Sequence, residues 1–165
     1  MKLINIFKQL LEESPVETDK KSFYNPGYEQ GKEITSKDYR DFITKSGDLV
    51  LTSTKVTSLP DGLEVDGDLR LGYELNTLPN NLKIKGDLDV SQSRISNFPK
   101  GLVIGGDLNL GYRDNVTDIP KDIVVKGTLS LPQDGFSLAK KYPVETLKKI
   151  FPNVKNIEVV APKKF

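Results

Sequence analysis

A unit of about 20 residues recurs along the middle of this chain, and that recurrence limits its fold more than any other feature. The dipeptide Gly-Asp followed by Leu marks each unit. Gly47, Gly67, Gly86, Gly106 and Gly127 stand 20, 19, 20 and 21 residues apart. Asp48, Asp68, Asp87 and Asp107 follow the first four, and Thr128 closes the series. Next comes Leu49, Leu69, Leu88, Leu108 or Leu129, and two residues on stands Leu51, Leu71, Val90, Leu110 or Leu131. An apolar residue joined to proline is the second landmark, at Leu59-Pro60, Leu78-Pro79, Phe98-Pro99 and Ile119-Pro120. Val56, Leu75, Ile95 and Val116 precede these pairs by three residues, and Val65, Ile84, Ile104 and Val125 follow them.

The spacing dictates the architecture. L-x-L alternation puts two apolar side chains on one face of a short strand. A 20-residue unit cannot bury that face alone, so stacked units must share one core. The proline limits further strand pairing and sharpens the return turn. The Gly column requires either positive φ or a close approach of neighbouring backbones. All variation in unit length falls between the L-x-L strand and the following Val, Leu or Ile, which marks that segment as an exposed loop.

Together the repeats predict a mainly β fold with short capping helices, a solenoid of about four to five repeats. The run from Leu49-Val50-Leu51 through Val56 to Leu59-Pro60 resembles the leucine-rich repeat, in its short LP-containing bacterial form. Similar GDL-x-L repeats occur in bacterial and tailed-phage proteins. The resemblance covers residues 47–131 and departs from the family in two ways. The usual Asn after the strand is Thr54, Ser93 or Asp114 in three units and Tyr73 in the shortened one. The position before each GDL strand is polar (Ser46, Asp66, Lys85, Lys126) or Gly105. A flatter β-solenoid is the structural alternative.

Four segments follow from this frame. Residues 1–35 hold an amphipathic pattern (Leu3, Ile6, Phe7, Leu10, Leu11) and then a linker-like loop from 14 to 34. That first helix either folds back on the array or docks on another chain. Residues 36–46 predict a capping helix with Thr35 or Ser36 as N-cap and Tyr39, Phe42 and Ile43 on one face. The array occupies 47–136. Residues 137–165 predict a helix from Pro143, with Val144, Leu147 and Ile150/Phe151 on one side, ending at Pro152, and then a strand at 156–160.

Composition narrows the function. The chain has no His and no Cys among its 165 residues, which removes imidazole and thiol chemistry, thiolate metal sites and disulfides. Neither a P-loop nor a G-x-G-x-x-G motif occurs, and the carboxylates are periodic instead of convergent, so we expect no enzyme and no cofactor. No apolar run has the length of a membrane helix, and Glu12 and Glu13 after the apolar start argue against a signal peptide. A location in the cytosol or inside a larger particle is the expectation. The net charge of +1 hides a partition, with residues 47–136 at −4 and residues 137–165 at +5. An acidic array is the wrong sign for nucleic acid.

The expected partner is therefore a protein. Between the buried positions, Asp48, Val50, Asp68, Arg70, Asp87, Asp89, Asp107, Asn109, Thr128 and Ser130 are expected to face solvent. Each Asp either accepts a backbone N–H within its own Gly-Asp bend or helps form a groove for a basic partner. A weak Ca²⁺ row is disfavoured, since no loop has the D-x-D-x-D-G spacing, and we assign no metal site. In the loops, Gly72-Tyr73 and Gly111-Tyr112 recur, with Arg70, Arg94 and Arg113 close in the aligned frame, and Tyr and Arg are frequent binding anchors. The candidate partner-binding set is Arg70, Tyr73, Arg94, Tyr112, Arg113, Asp87 and Asp89, and the five glycines are structural. The basic end (Lys140, Lys141, Lys148, Lys149, Lys163, Lys164) reads first as a solvated helix face. The expected function is a non-catalytic binding module, an adaptor or inhibitor. A structural subunit of a particle such as a phage virion is the alternative, and carbohydrate binding by the Tyr loops a weaker one.

Overall fold

The structure is a computed structural model, and it describes residues 38–111, 116, 118–133 and 137–161, the side chains of Ser137 and Leu138 excepted. The pattern at 2–13, the loop at 14–34, Thr35, Ser36, Tyr112, Arg113, Lys163 and Lys164 lie outside these residues.

Each unit forms two short strands where the sequence reading placed one. The GDL strands are Leu49–Val50 (β1), Leu69–Arg70 (β3), Leu88–Asp89 (β5) and Leu108–Asn109 (β7). The second set is Glu64–Val65 (β2), Lys83–Ile84 (β4) and Val103–Ile104 (β6). Both sets merge in Val124–Pro132 (β8), and Val154–Val160 (β9) lies beside it. All ladders are parallel, and only that between β8 and β9 shifts register, between Val125 and Thr128, so Leu49, Leu69, Leu88, Leu108 and Leu129 form one column. Val65, Ile84, Ile104, Val125 and Val154 form the other. The result is a parallel β-solenoid of about four turns with few helices. We call its two sheet surfaces the GDL arm and the valine arm.

One core fills the coil. Both strand columns point into it, together with Val56, Leu75, Ile95 and Val116 and the apolar member of the later proline pairs, Leu78, Phe98 and Ile119. A fully buried Leu or Ile stabilises by about 1.5–3 kcal/mol. Beyond the prolines the chain reverses through left-handed residues, Gly62 (φ 74°), Asn81 (φ 55°) and Gly101 (φ 73°).

The ends differ from the expected caps. Of the capping helix expected at 36–46, the described residues form only a 3-10 turn at Tyr39–Phe42, whose cap is Asp38 accepting from the Arg40 N–H. Phe42 is buried and Tyr39 packs against the core, but Ile43 is 48% exposed. The reason is that Ile43 is already extended (φ −83°, ψ 123°) and bridges Leu49 in antiparallel fashion. That bridge, with the Thr44 N–H on the Asp48 carbonyl at 2.8 Å, closes the outer edge of β1. At the other end, Ser137–Lys141 (α1) and Val144–Ile150 (α2) precede β9. Leu147 and Phe151 are buried against the core, with Val144 and Ile150 partly so. β9 begins at Val154, two residues before the expected start, because Val154 continues the valine column. Among the described residues, β2 and β9 each pair on one side only.

Candidate functional site

The outward surfaces of the two arms and the loops beside them are where a partner would meet the coil, and the two arms are built on different chemistry. On the GDL arm, each Asp carboxylate belongs to the backbone. Asp48 Oδ1 accepts from the Asp68 N–H at 2.9 Å, and Asp68 Oδ1 from the Asp87 N–H at 2.9 Å. Asp87 Oδ1 accepts from Asp107 N–H and Asp107 Oδ1 from Thr128 N–H, both at 2.7 Å. The acceptor role expected for Asp is present, but the donor lies one coil further on and not in the same bend. A hydrogen bond to a charged acceptor contributes about 1.5–3 kcal/mol, less in the open, against about 1 kcal/mol of repulsion between neighbouring carboxylates in water. Attraction to the amides therefore offsets the like-charge row.

This ladder also accounts for the Gly column. A Cβ on Gly67, Gly86, Gly106 or Gly127 would fall on the carboxylate of Asp48, Asp68, Asp87 or Asp107 respectively. Each Gly N–H further donates to the Gly carbonyl of the coil before it, at 2.9–3.0 Å. Close approach, not backbone sign, sets these four positions; only Gly47, at the first coil, has positive φ (85°). Gly and Asp thus form one lock, with the Asp of one coil seated over the Gly of the next.

The remaining positions of this arm are mixed. Val50, expected to face solvent, is buried at 5% exposure, though it is not part of the core cluster. Arg70 is half-buried, with Nη2 3.6 Å from Asp68 Oδ2. Asp89 turns its Oδ1 onto the Ser91 N–H at 2.8 Å, as Asn109 does onto Gly111 at 2.9 Å. Asp87 and Asp89, both proposed for a basic partner, therefore each commit one carboxylate oxygen to the backbone.

The loops were expected to be exposed, and Thr54, Gly72 and Ser93 depart from that. Thr54 and Ser93 are buried, because their hydroxyls stand in for missing backbone partners. Thr54 Oγ1 donates to the Leu51 carbonyl at 3.0 Å and accepts from the Val56 N–H at 3.4 Å. Ser93 repeats this on Val90 and Ile95, at 2.9 and 3.3 Å. The sequence signal was present as a hydroxyl three residues beyond the strand Leu or Val, a position we read only as departing from Asn. Tyr73 is 57% exposed in the second loop, and Arg94 is exposed in the third.

The valine arm carries ion pairs instead. Lys83 Nζ meets Glu64 Oε1 at 2.7 Å and Lys85 Nζ meets Asp66 Oδ1 at 2.6 Å, each between neighbouring coils. The Lys83 hydrogen bond holds the Glu64 carboxyl below its ordinary range, and the Asp66 hydrogen bond raises Lys85. A depression of about 310 Å³, lined by Val125, Lys126, Pro152, Asn153, Val154 and Lys155, lies at the C-terminal end of this arm. None of the described candidate partner-binding residues lines it. Among the described residues, no group of three or more metal-type side chains gathers, and no helix is long and apolar enough to cross a membrane. Compared with known proteins, the chain matches no family model, no curated protein and no solved structure.

Proposed function

We propose that this solenoid is a non-catalytic protein-binding module whose loops engage the partner while the arms hold them in place. The observation that carries the reading is Tyr73, a large aromatic more than half exposed at 57% in a loop anchored by a rigid coil. Tyr loses little side-chain entropy on binding and is over-represented among interface anchors. Arg94, exposed in the next loop, supplies a second anchor of the favoured kind. The repeat signature supports a leucine-rich-repeat type of the short bacterial and tailed-phage sort. Solenoids host many unrelated functions, so the surface and not the fold carries the argument.

The test has two stages. Mass spectrometry of complexes purified from the native source names the partner, and titration of variants against it locates the site. Tyr73→Ala with Tyr112→Ala is expected to weaken binding by at least about 2 kcal/mol, with the melting temperature nearly unchanged. Unaltered binding in that variant, with loss on removing residues 1–13, would move the docking element to the N-terminal segment. A structural subunit of a larger particle is the second reading, favoured by the two sheet edges, on β2 and β9, that lack a partner strand among the described residues. Fixed stoichiometry with a particle is its signature.

A further inference from the structure

The two ends of the valine arm match each other. At the first coil, the N–H groups of Glu64 and Asp66 meet no acceptor among the described residues. In the next coil, the equivalent N–H groups of Lys83 and Lys85 donate to Leu63 and Val65 carbonyls at 3.0 and 2.9 Å. The GDL arm treats the same end differently, since Thr44 and Ile43 close the edge of β1. At the last coil, the Val125 N–H donates to the Asn153 carbonyl at 3.2 Å, so Asn153 faces β8. Alternation along a parallel strand then turns the Val154 carbonyl to the open side.

Sequence and charge agree with this geometry. Asn153-Val154-Lys155 repeats the pattern of Glu64-Val65-Asp66, Lys83-Ile84-Lys85 and Val124-Val125-Lys126, with the middle residue inward in each. The first coil presents Glu64 and Asp66 outward, whereas the last two present Lys126 and Lys155, which form no ion pair among the described residues. Inside the molecule, one coil step already places a Lys ammonium against Asp66 at 2.6 Å.

We propose that the chain associates head to tail with a second copy through the valine arm, β9 of one molecule pairing in parallel with β2 of the next. Val154 O then accepts from the Asp66 N–H of the neighbouring copy, and Lys155 lies beside the Asp66 carboxylate. Such a contact is heterologous, so association continues beyond a dimer unless a ring closes. Edge pairing of this kind draws its affinity from main-chain hydrogen bonds and its specificity from the side chains beside them. The inference does not rest on the loop-binding reading, because neither end of the arm includes Tyr73 or Arg94.

Sedimentation velocity of the full chain, from micromolar to submillimolar concentration and at low and high salt, tests it. The expected result is concentration-dependent growth in mass that weakens with salt. Lys155→Glu alone and Asp66→Lys alone should each lose that growth, while an equimolar mixture of the two should recover it through the swapped pair. Both residues are exposed, so Lys155→Glu should melt as the wild type does and Asp66→Lys only slightly lower through loss of its pair with Lys85, and melting curves check that both remain folded. A monomer at every concentration, or single variants that assemble like the wild type, overturns the proposal. So does a wild type that stays monomeric yet binds polyglutamate at low salt, which would give the basic end to an acidic partner instead.

Discussion

The two arms of the coil have the same number of short parallel strands per turn and share one core, yet their outward faces obey different rules. On the GDL arm, Asp48, Asp68, Asp87 and Asp107 spend a carboxylate oxygen on the amide of the following coil, and each following Gly leaves room for it. That chemistry tolerates little variation, so the arm shows as a repeated Gly-Asp-Leu. On the valine arm, the outward position just before each inward residue is Glu64, Lys83, Val103 or Val124, four residues of which two pair as ions and two are apolar. There only the inward position is held constant. The difference teaches that a repeat signature records where side chains serve the backbone, while plain burial leaves a fainter mark.

The core should not distinguish the arms. Leu88→Ala on the GDL arm and Ile104→Ala on the valine arm both remove fully buried side chains. Each is expected to cost about 3 kcal/mol, in the range of buried Leu or Ile truncations, read by urea denaturation. A much smaller cost for Ile104 would mean that the valine arm is a satellite of the core and not a wall of it. The Gly-Asp lock should then separate the arms. Gly86→Ala places a Cβ against the Asp68 carboxylate and 2.8 Å from the Gly67 carbonyl, and is expected to cost about 2–3 kcal/mol as overpacking. In an Asp68→Ala background part of that penalty should vanish, and a double-mutant cycle with no coupling would break the lock.

Those residues also show how far the sequence carried the argument. The Gly-Asp-Leu column, the proline turns and the inward apolar positions were legible because each is periodic and the coil reuses it. The valine arm was legible as a column but not as a strand, since a two-residue strand leaves too little alternation to recognise. The Asp ladder was half legible: acceptor chemistry follows from residue type, but which coil supplies the donor depends on how the coils stack. Ile43 was misread because the chain there is already extended to close the first coil, an end effect with no periodic counterpart. Of the candidate site, Tyr73 and Arg94 lie exposed in loops, and Asp87 and Asp89 each give one carboxylate oxygen to a backbone N–H.

A gentler change probes the same ladder. Asp87→Ala leaves the Asp107 N–H without its acceptor and is expected to cost about 1 kcal/mol, the low end for an unmade bond near solvent. Asp87→Asn keeps an amide oxygen in the same place and should cost only a few tenths of that. If Asn is as harmful as Ala, charge and not geometry holds the ladder, and the contrast with the valine arm narrows.

The smallest effect belongs to the ion pairs of the valine arm. Lys83 and Glu64 are exposed, and there salt and solvent screen their attraction and side-chain entropy opposes it. Glu64 titrates below its ordinary range in the folded chain because Lys83 donates to it. Its contribution is therefore present above the unfolded carboxylate pKa and is lost as pH falls through the depressed folded value. Lys85 has the opposite sign, being raised by Asp66: its contribution is present below the unfolded lysine pKa and is lost as pH rises through the raised value. Between those limits both pairs persist, so the valine arm should have its small electrostatic gain across neutral pH and lose it at either extreme. The stability difference between wild type and Lys83→Met, measured by urea denaturation against pH, should be smaller than the Asp87→Ala loss at neutral pH. It should fall toward nothing in acid, and molar salt should remove most of it. A difference as large as that of Asp87→Ala, or one that persists in acid, would show that Lys83 acts through its aliphatic stem over Val103, its neighbour in the ladder, and that this face, like the other, is held by contact with the coil beside it.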